Sequence, residues 1–120
     1  MTARSVVFAE PVRTAIGTFG GTLKDMPAPA LGTVAIDGAV KRAGVRPDNV
    51  ETVVMGNVVQ AGEKMNPARQ TSVRAGLPVT TPAMTVNRVC GSGAQAIVSA
   101  AQERPEPVRH GRGQSARHHA

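Results

Sequence analysis

Residues 83–102 read Ala-Met-Thr-Val-Asn-Arg-Val-Cys-Gly-Ser-Gly-Ala-Gln-Ala-Ile-Val-Ser-Ala-Ala-Gln, and they give the strongest indication of the fold. Residues 83–89 predict a strand, and residues 90–102 predict a helix that starts at the cysteine. No residue from 91 to 102 is charged, whereas a surface helix of that length normally carries a charged stripe. The helix is therefore predicted to be buried on all sides, which requires a layer of protein on its far side.

Strand and helix patterns alternate along the chain up to residue 102. The first two predicted helices have a proline in their first turn and a glycine after their last. The order β-α-β-α-β-α predicts an α/β fold with a mostly parallel sheet and helices packed on it. The predicted elements are a strand at 6–9, a helix at 29–42 ending before Gly44, a strand at 50–59 broken at Gly56-Asn57, a helix at 67–74 capped by Asn66 and closed by Gly76, the strand at 83–89 and the helix at 90–102.

Composition restricts the class of protein. The 120 residues suffice for one domain, and 41% of them are hydrophobic, which is typical of a globular chain. Phe8 and Phe19 are the only aromatic residues, which argues against base stacking on single-stranded nucleic acid. The net charge is +6, but residues 104–120, with four Arg and one Glu, supply half of it. We therefore expect no nucleic-acid partner.

The C-terminal residues differ in character from the rest. Residues 103–120 contain no Leu, Ile, Met or Phe, and they hold all three histidines of the chain. Such a segment cannot bury enough apolar surface to offset the entropy lost on ordering. We expect a domain over residues 1–102 and a disordered basic tail over 103–120.

We find neither a targeting signal nor a membrane-spanning segment in this sequence. The N-terminal residues lack a long apolar segment with a cleavage site, and no stretch approaches the roughly 20 apolar residues that span a bilayer. A single cysteine cannot form an internal disulfide. We expect a cytoplasmic protein with no membrane partner.

Cys90 is the candidate nucleophile. It follows a predicted strand and starts a predicted helix, whose positive end stabilises a thiolate. Gly91 and Gly93 leave room for a substrate carbonyl, and the Cys90 N–H could hold a developing oxyanion. Attack on an acyl group would give a thioester. The alternative is an inert thiol in the core, and no histidine before residue 104 offers an obvious base.

Two further patterns have other interpretations. Gly91-x-Gly93-x-x-Ala96 after a strand fits a dinucleotide-binding fingerprint, but the acidic residue expected about 20 positions later would fall in the tail. The polar residues Arg69, Gln70 and Arg74 are spaced as on the solvated face of a helix. A binding module thus stands as the alternative to an enzyme.

Four segments in order resemble one family. Residues 86–97, Val-Asn-Arg-Val-Cys-Gly-Ser-Gly-Ala-Gln-Ala-Ile, resemble the nucleophile segment of the thiolases, specifically the acetyl-CoA acetyltransferases. The resemblance covers the first part of the family's chain, from about residue 5 to residue 102. The other segments are Pro-Val-Arg-Thr-Ala-Ile-Gly-Thr-Phe-Gly-Gly at 11–21, Gly-Asn-Val-Val-Gln-Ala-Gly at 56–62 with Asn-Pro-Ala-Arg-Gln at 66–70, and Ala-Gly-Leu-Pro at 75–78.

The resemblance implies a fold, a reaction and a role for Cys90. The fold would be the start of the layered thiolase architecture. Cys90 would accept an acetyl group from acetyl-CoA, and a second acetyl-CoA would condense with it to give acetoacetyl-CoA, or the reverse thiolysis would run. Acetyl-CoA and coenzyme A would be substrates, with no metal or further cofactor. Residues 60–70 resemble a segment linked to subunit association, which implies a homo-oligomeric parent.

The chain also departs from the family. Thiolases carry a catalytic His in a Gly-His-Pro motif and a second Cys in a Cys-Gly-Gly-Gly motif, and neither motif occurs in this sequence. We therefore expect a truncated thiolase-like chain, with the tail produced by truncation or a frameshift, that is not an efficient enzyme alone. A non-catalytic interaction fragment, prone to aggregate through exposed apolar surface, is the other expectation.

Overall fold

Two short parallel strands and three helices form the regular structure of the described residues. A computed structural model describes residues 5–103. The helices are α1 (Ala28–Ala43), α2 (Pro67–Arg74) and α3 (Ser92–Gln102), the strands are β1 (Val53–Gly56) and β2 (Ala83–Val86), and Pro47–Asn49 forms a 3-10 turn.

The strands β1 and β2 pair in parallel, with Gly56 opposite Val86 at their carboxyl ends. Helix α2 lies between them in the chain and supplies the crossover that a parallel pair requires. The N–H of Asn57 donates to the Val86 carbonyl at 3.0 Å and forms the last bond of this edge. The predicted α/β class is confirmed, and both strands are shorter than predicted because the chain leaves the sheet at Asn57 and at Asn87.

Helices cover both faces of the strand pair. Successive side chains of a strand point to opposite faces, and Val53 packs with Ala68 and Leu77 in the core on the side of α1 and α2. Gly56 belongs to the other face, where the backbone at Ser92 lies against it. The start of α3 is therefore positioned directly on β1.

The caps of α1 and α2 agree with the predicted signals. Helix α1 ends at Gly44, which has a left-handed φ of 63°. Asn66 precedes α2 with a φ of 45°, and its side chain accepts a hydrogen bond from the Arg69 N–H at 3.2 Å. The Asn66 side chain also reaches β2, because it donates to the Ala83 carbonyl at 2.9 Å and accepts from the Thr85 hydroxyl at 2.8 Å. One side chain thus joins α2 to β2.

The prediction of a strand at residues 6–9 is wrong in this structure. The segment has no strand pairing, and Val7 and Phe8 are 77% and 80% exposed. A strand needs a neighbour to satisfy its backbone groups, and among residues 5–103 the only sheet is the pair β1–β2. Residues 6–8 instead line an open apolar groove beside α3.

The prediction that α3 is buried on all sides is also wrong for the described residues. Ser92 and Ala96 are buried. Ile97 and Val98 are 52% and 49% exposed. The outer face of the helix carries no charged residue, which is typical of a face that packs against another layer of protein. Among the described residues that face is open to solvent.

The remaining expectations about segments concern the C-terminus and membranes. Residues 104–120 lie outside the described part of the chain, so the predicted tail and its boundary at 102/103 stay predictions. None of the helices within residues 5–103 combines the length and the apolar character needed to cross a bilayer.

Candidate active site around Cys90

Cys90 lies on the loop that joins β2 to α3. Its thiol is free and the residue is exposed. The helix begins at Ser92, so Cys90 precedes the first turn by two residues instead of starting it, with Gly91 as the residue before the helix. The interpretation of Cys90 as an inert buried thiol does not hold for the described residues. Among the described residues, Cys90 is therefore open to solvent.

The residue before Cys90 has an unusual backbone conformation. Val89 has a φ of 46°, in the left-handed region that costs a side-chain-bearing residue roughly 1–2 kcal/mol. The Val89 N–H donates to Asn87 Oδ1 at 2.9 Å. Asn87 Nδ2 in turn donates to the Val58 carbonyl at 3.0 Å, on the segment that follows β1. The loop is therefore held both to itself and to the end of the neighbouring strand.

Ser92 holds the other side of the loop. Ser92 is 4% exposed, and its hydroxyl donates to the Val89 carbonyl at 2.7 Å. The same oxygen accepts a hydrogen bond from the Arg88 N–H at 2.9 Å. Because Ser92 is the first residue of α3, these bonds fix the loop to the start of the helix.

Gly56 lets this helix start approach the strand. A methyl group at Gly56 would lie 2.5 Å from the Ser92 carbonyl carbon and 2.7 Å from the Gly93 nitrogen. Distances this short to backbone atoms leave no room for any larger residue without a shift of α3. The glycine of β1 thus sets the position of the loop that carries Cys90.

Backbone hydrogen bonds close the turn after Cys90. The Gly91 N–H donates to the Arg88 carbonyl at 3.0 Å, and the Ser92 N–H donates to the Val89 carbonyl at 3.1 Å. The Arg88 guanidinium reaches Gln95 of α3 at 3.0 Å. The loop therefore has the internal bonds of an ordered turn, while the predicted oxyanion role of the Cys90 N–H stays a prediction.

The sequence offers no obvious histidine base before residue 104, and no metal site was predicted. All three histidines, His110, His118 and His119, lie outside the described residues. Between residues 5 and 103 there is no group of three or more His, Cys, Asp or Glu that could hold a metal ion.

The glycine pattern of the dinucleotide alternative lies at the same loop. Gly91 precedes α3, Gly93 is exposed in its first turn, and Ala96 is buried. The position about 20 residues later falls outside the described residues, so this alternative stays untested.

The polar residues of α2 are partly structural. Arg69 donates to the carbonyls of Thr81 at 2.9 Å and Val79 at 2.6 Å. Gln70 donates to the Glu63 carbonyl at 2.6 Å, whereas Arg74 is exposed. The expected solvated face is therefore wrong for Arg69 and Gln70, which are half-buried and hold the loops on either side of α2.

Asn87 and Gly56 are the site residues that sequence reasoning did not single out. An asparagine after a strand is a frequent turn residue that bonds to the N–H two positions later, and this was the available signal for Asn87. For Gly56 the available signal was a glycine inside a predicted strand, which can mark a close backbone approach. Its partners lie 36 or more positions away, and no local pattern identifies them.

Comparison with known proteins places the chain in a family. Residues 6–105 match the family model for the thiolase N-terminal domain. An acetyl-CoA acetyltransferase of Cupriavidus necator is 54% identical over 96 residues, covering 80% of this chain and 24% of that protein. The mitochondrial acetyl-CoA acetyltransferase of Mus musculus is 50% identical over 101 residues, covering 84% of this chain and 24% of the relative.

A third relative agrees with the first two. The acetyl-CoA acetyltransferase of Chromobacterium violaceum is 54% identical over 90 residues, which are 75% of this chain and 23% of that protein. The chain thus spans about a quarter of the length of the curated relatives it matches. The expected family is confirmed: the chain belongs to the thiolases and matches their N-terminal domain.

Proposed function

We propose that Cys90 is the nucleophile of an acyl transfer in which an acyl-CoA, acetyl-CoA first of all, acylates the thiol. The observation that carries this proposal is the exposed free thiol on a loop tied to the segment after β1 and to the start of α3. An ordered, accessible loop presents its thiol in a defined orientation, which favours attack of the thiol on a positioned carbonyl. The names of the relatives support acetyl-CoA as the donor.

The proposed chemistry has two steps. The Cys90 thiolate attacks the carbonyl carbon of acetyl-CoA, a new carbon–sulfur bond forms, and the bond to the coenzyme A sulfur breaks. Coenzyme A leaves as a thiolate and takes up a proton. A second acetyl-CoA, after losing a proton from its methyl carbon, then attacks the acetyl-Cys90 carbonyl. The products are acetoacetyl-CoA and free Cys90, and the reverse sequence is thiolysis.

The first step is the part that the 120 residues can support. Both steps require proton transfers, and efficient transfer requires a positioned acid or base. The Gly-His-Pro and Cys-Gly-Gly-Gly segments do not occur in these 120 residues. We therefore propose that the 120 residues alone accept an acetyl group slowly and do not turn over.

Two experiments test the proposal. Peptide mapping after incubation with acetyl-CoA supports it if the acetyl group is on Cys90, and refutes it if only lysines are acetylated. Incubation with acetoacetyl-CoA and coenzyme A tests the expected lack of turnover. Thiolysis near the rate of an ordinary enzyme would overturn the claim that the 120 residues need further groups.

An interaction fragment is the second candidate, and one observation favours it. An open groove of about 290 Å³ is lined by apolar side chains of the N-terminal segment and of α3. Exposed apolar surface of this kind marks contact sites or drives association. The lining residues are Val6, Val7, Phe8, Ile97, Ala100 and Ala101.

Assembly and location also belong to the proposal. Val59 and Met65, within and beside the loop after β1, are 73% and 88% exposed, which supports a subunit contact over residues 60–70. The parent protein is accordingly proposed to be a homo-oligomer. The cytoplasmic location remains a prediction, because the mouse relative is designated mitochondrial.

A further inference from the structure

We propose that Asn87 is a positioning residue for Cys90: it holds Val89 in its left-handed conformation and ties the Cys90 loop to the segment after β1. The inference rests on the proposed acylation of Cys90. The exposed side chain of Asn87 makes two hydrogen bonds: its carboxamide nitrogen donates one and its carboxamide oxygen accepts the other.

The first bond compensates for an unfavourable backbone. Val89 is β-branched, and its φ of 46° is a conformation that such residues rarely adopt. The carboxamide oxygen of Asn87 accepts the Val89 N–H at 2.9 Å, which is the local bond of an Asx turn. Without that acceptor, Val89 would relax toward a negative φ, and the chain direction entering Cys90 would change.

The second bond fixes the turn against the sheet. Asn87 Nδ2 donates to the Val58 carbonyl at 3.0 Å across 29 residues of sequence. Val58 directly follows Asn57, whose N–H closes the ladder to Val86. The Asn87 side chain therefore extends the pairing of the two strands by one more link, at the point where β2 turns toward Cys90.

Ser92 secures only the far side of the loop. Its hydroxyl bonds to the Arg88 N–H and to the Val89 carbonyl, and its backbone is pressed against Gly56. Neither contact acts on the Val89 N–H. The orientation of Cys90 thus depends on Asn87 before it and Ser92 after it, and each supplies bonds that the other does not.

Substitutions separate the two bonds. Asn87→Ser keeps a neutral oxygen that can accept the Val89 N–H, as serine does in turns, but is too short to reach Val58. Asn87→Ala removes both bonds. Val89→Gly removes most of the cost of a positive φ. In that variant the loop conformation should therefore depend less on the hydrogen bond to Asn87.

The test measures acetylation of Cys90 by acetyl-CoA in the full 120-residue chain, with far-UV circular dichroism as a check of folding. We expect Asn87→Ala to slow acetylation at saturating acetyl-CoA about tenfold, because misplacement of a reacting group by about 1 Å has effects of that order or larger. Asn87→Ser should retain most of the rate. Adding Val89→Gly to Asn87→Ala should raise the acetylation rate several-fold above that of Asn87→Ala alone. A general loss of stability would not give this recovery.

Alkylation of the same thiol by iodoacetamide is the parallel readout, because a small reagent can approach from many directions. The alkylation rate should differ much less between the wild type and Asn87→Ala than the acetylation rate does. Wild-type acetylation rates in Asn87→Ala, or no recovery on adding Val89→Gly, would overturn the inference. If Asn87→Ala does not fold, Asn87→Ser decides: retention of most of the acetylation rate supports the role of the bond to the Val89 N–H, and a tenfold loss in the folded variant overturns it.

Failure of the proposed function is distinguishable from failure of this inference. A wild-type chain that acetyl-CoA leaves unmodified at Cys90 contradicts the function. Hydrogen exchange of the Val89 amide then still decides the role of Asn87: loss of protection in Asn87→Ala with retention in Asn87→Ser supports the positioning role, and equal protection in all three chains overturns it.

Discussion

Gly56 of β1 and Ser92 of α3 touch backbone to backbone: a methyl group at Gly56 would lie 2.5 Å from the Ser92 carbonyl carbon and 2.6 Å from its oxygen. This contact joins the strand to the helix that follows Cys90. It explains how a sheet of two short strands can position the loop that carries Cys90.

Replacement of this glycine tests the contact. Gly56→Ala should lower the free energy of unfolding by about 1–3 kcal/mol, because the added methyl group displaces backbone atoms. Acetylation of Cys90 should slow as well, since the loop moves with α3. Urea unfolding followed by far-UV circular dichroism measures the first effect.

Gly38→Ala is the matched control. Gly38 lies inside α1, and a methyl group there would meet nothing within 4 Å. Alanine is favoured over glycine in a helix by about 0.5–1 kcal/mol, so this variant should be as stable as the wild type or more so. Equal stabilities for Gly56→Ala and the wild type would show that the approach of α3 to β1 is looser than described.

Asn66 joins α2 to β2, and its substitution should separate capping from cross-linking. Asn66→Ala should destabilise the fold by about 1–2 kcal/mol, as expected for loss of a cap and of the left-handed tolerance of asparagine. Asn66→Asp keeps the cap to the Arg69 N–H but cannot donate to the Ala83 carbonyl. Thermal melts should order wild type, Asn66→Asp and Asn66→Ala by decreasing stability; an aspartate variant no better than the alanine variant would contradict the capping role.

Arg69 and Arg74 lie on one helix and should respond differently. Arg69 makes hydrogen bonds to the carbonyls of Val79 and Thr81, so Arg69→Ala should cost about 1–2 kcal/mol, within the range for bonds to a charged group. Arg74 is exposed, so Arg74→Ala should change stability by less than about 0.5 kcal/mol. Similar losses in both variants, measured by urea unfolding, would mean that the Arg69 bonds contribute nothing specific.

Local signals explain why much of the fold could be predicted. The stop of α1 at Gly44 and the cap of α2 at Asn66 depend on residues within one helical turn, and both are as predicted. The order of a strand before a helix around Cys90 follows from the hydrophobic pattern in the same way, whereas the loop between β2 and α3 was not predicted. The family was predictable because four motifs occur in the right order, and the family model confirms it.

Long-range contacts explain what was missed. Residues 6–9 have the composition of a strand, but a strand also needs a partner, which no local pattern reveals. The uncharged helix α3 suits burial, yet its outer face at Ile97 is open in the described residues. The contact of Gly56 with Ser92 and the hydrogen bond from Asn87 to Val58 join residues 29 or more positions apart, which periodicity cannot identify.

The apolar groove beside α3 should drive self-association if the second candidate function holds. Phe8 is 80% exposed and Ile97 is 52% exposed, and both line the groove. The wild-type chain should elute earlier from a sizing column as its concentration rises, and Phe8→Ser with Ile97→Ser should reduce this shift. Val34→Ser is the control, because Val34 is 64% exposed on α1 and outside the groove. A monomer at all concentrations would contradict this use of the groove.

The decisive measurement for the role of Cys90 compares the rate at which acetyl-CoA acetylates this residue in the folded chain with the rate in a peptide of residues 86–97. Mass spectrometry with peptide mapping follows the acetyl group, and Cys90→Ala gives the background on other residues. We predict faster acetylation in the folded chain, by about tenfold or more, because the loop holds the thiol in one orientation. Equal or slower reaction in the folded chain would contradict the claim that this fold prepares Cys90 to accept an acyl group.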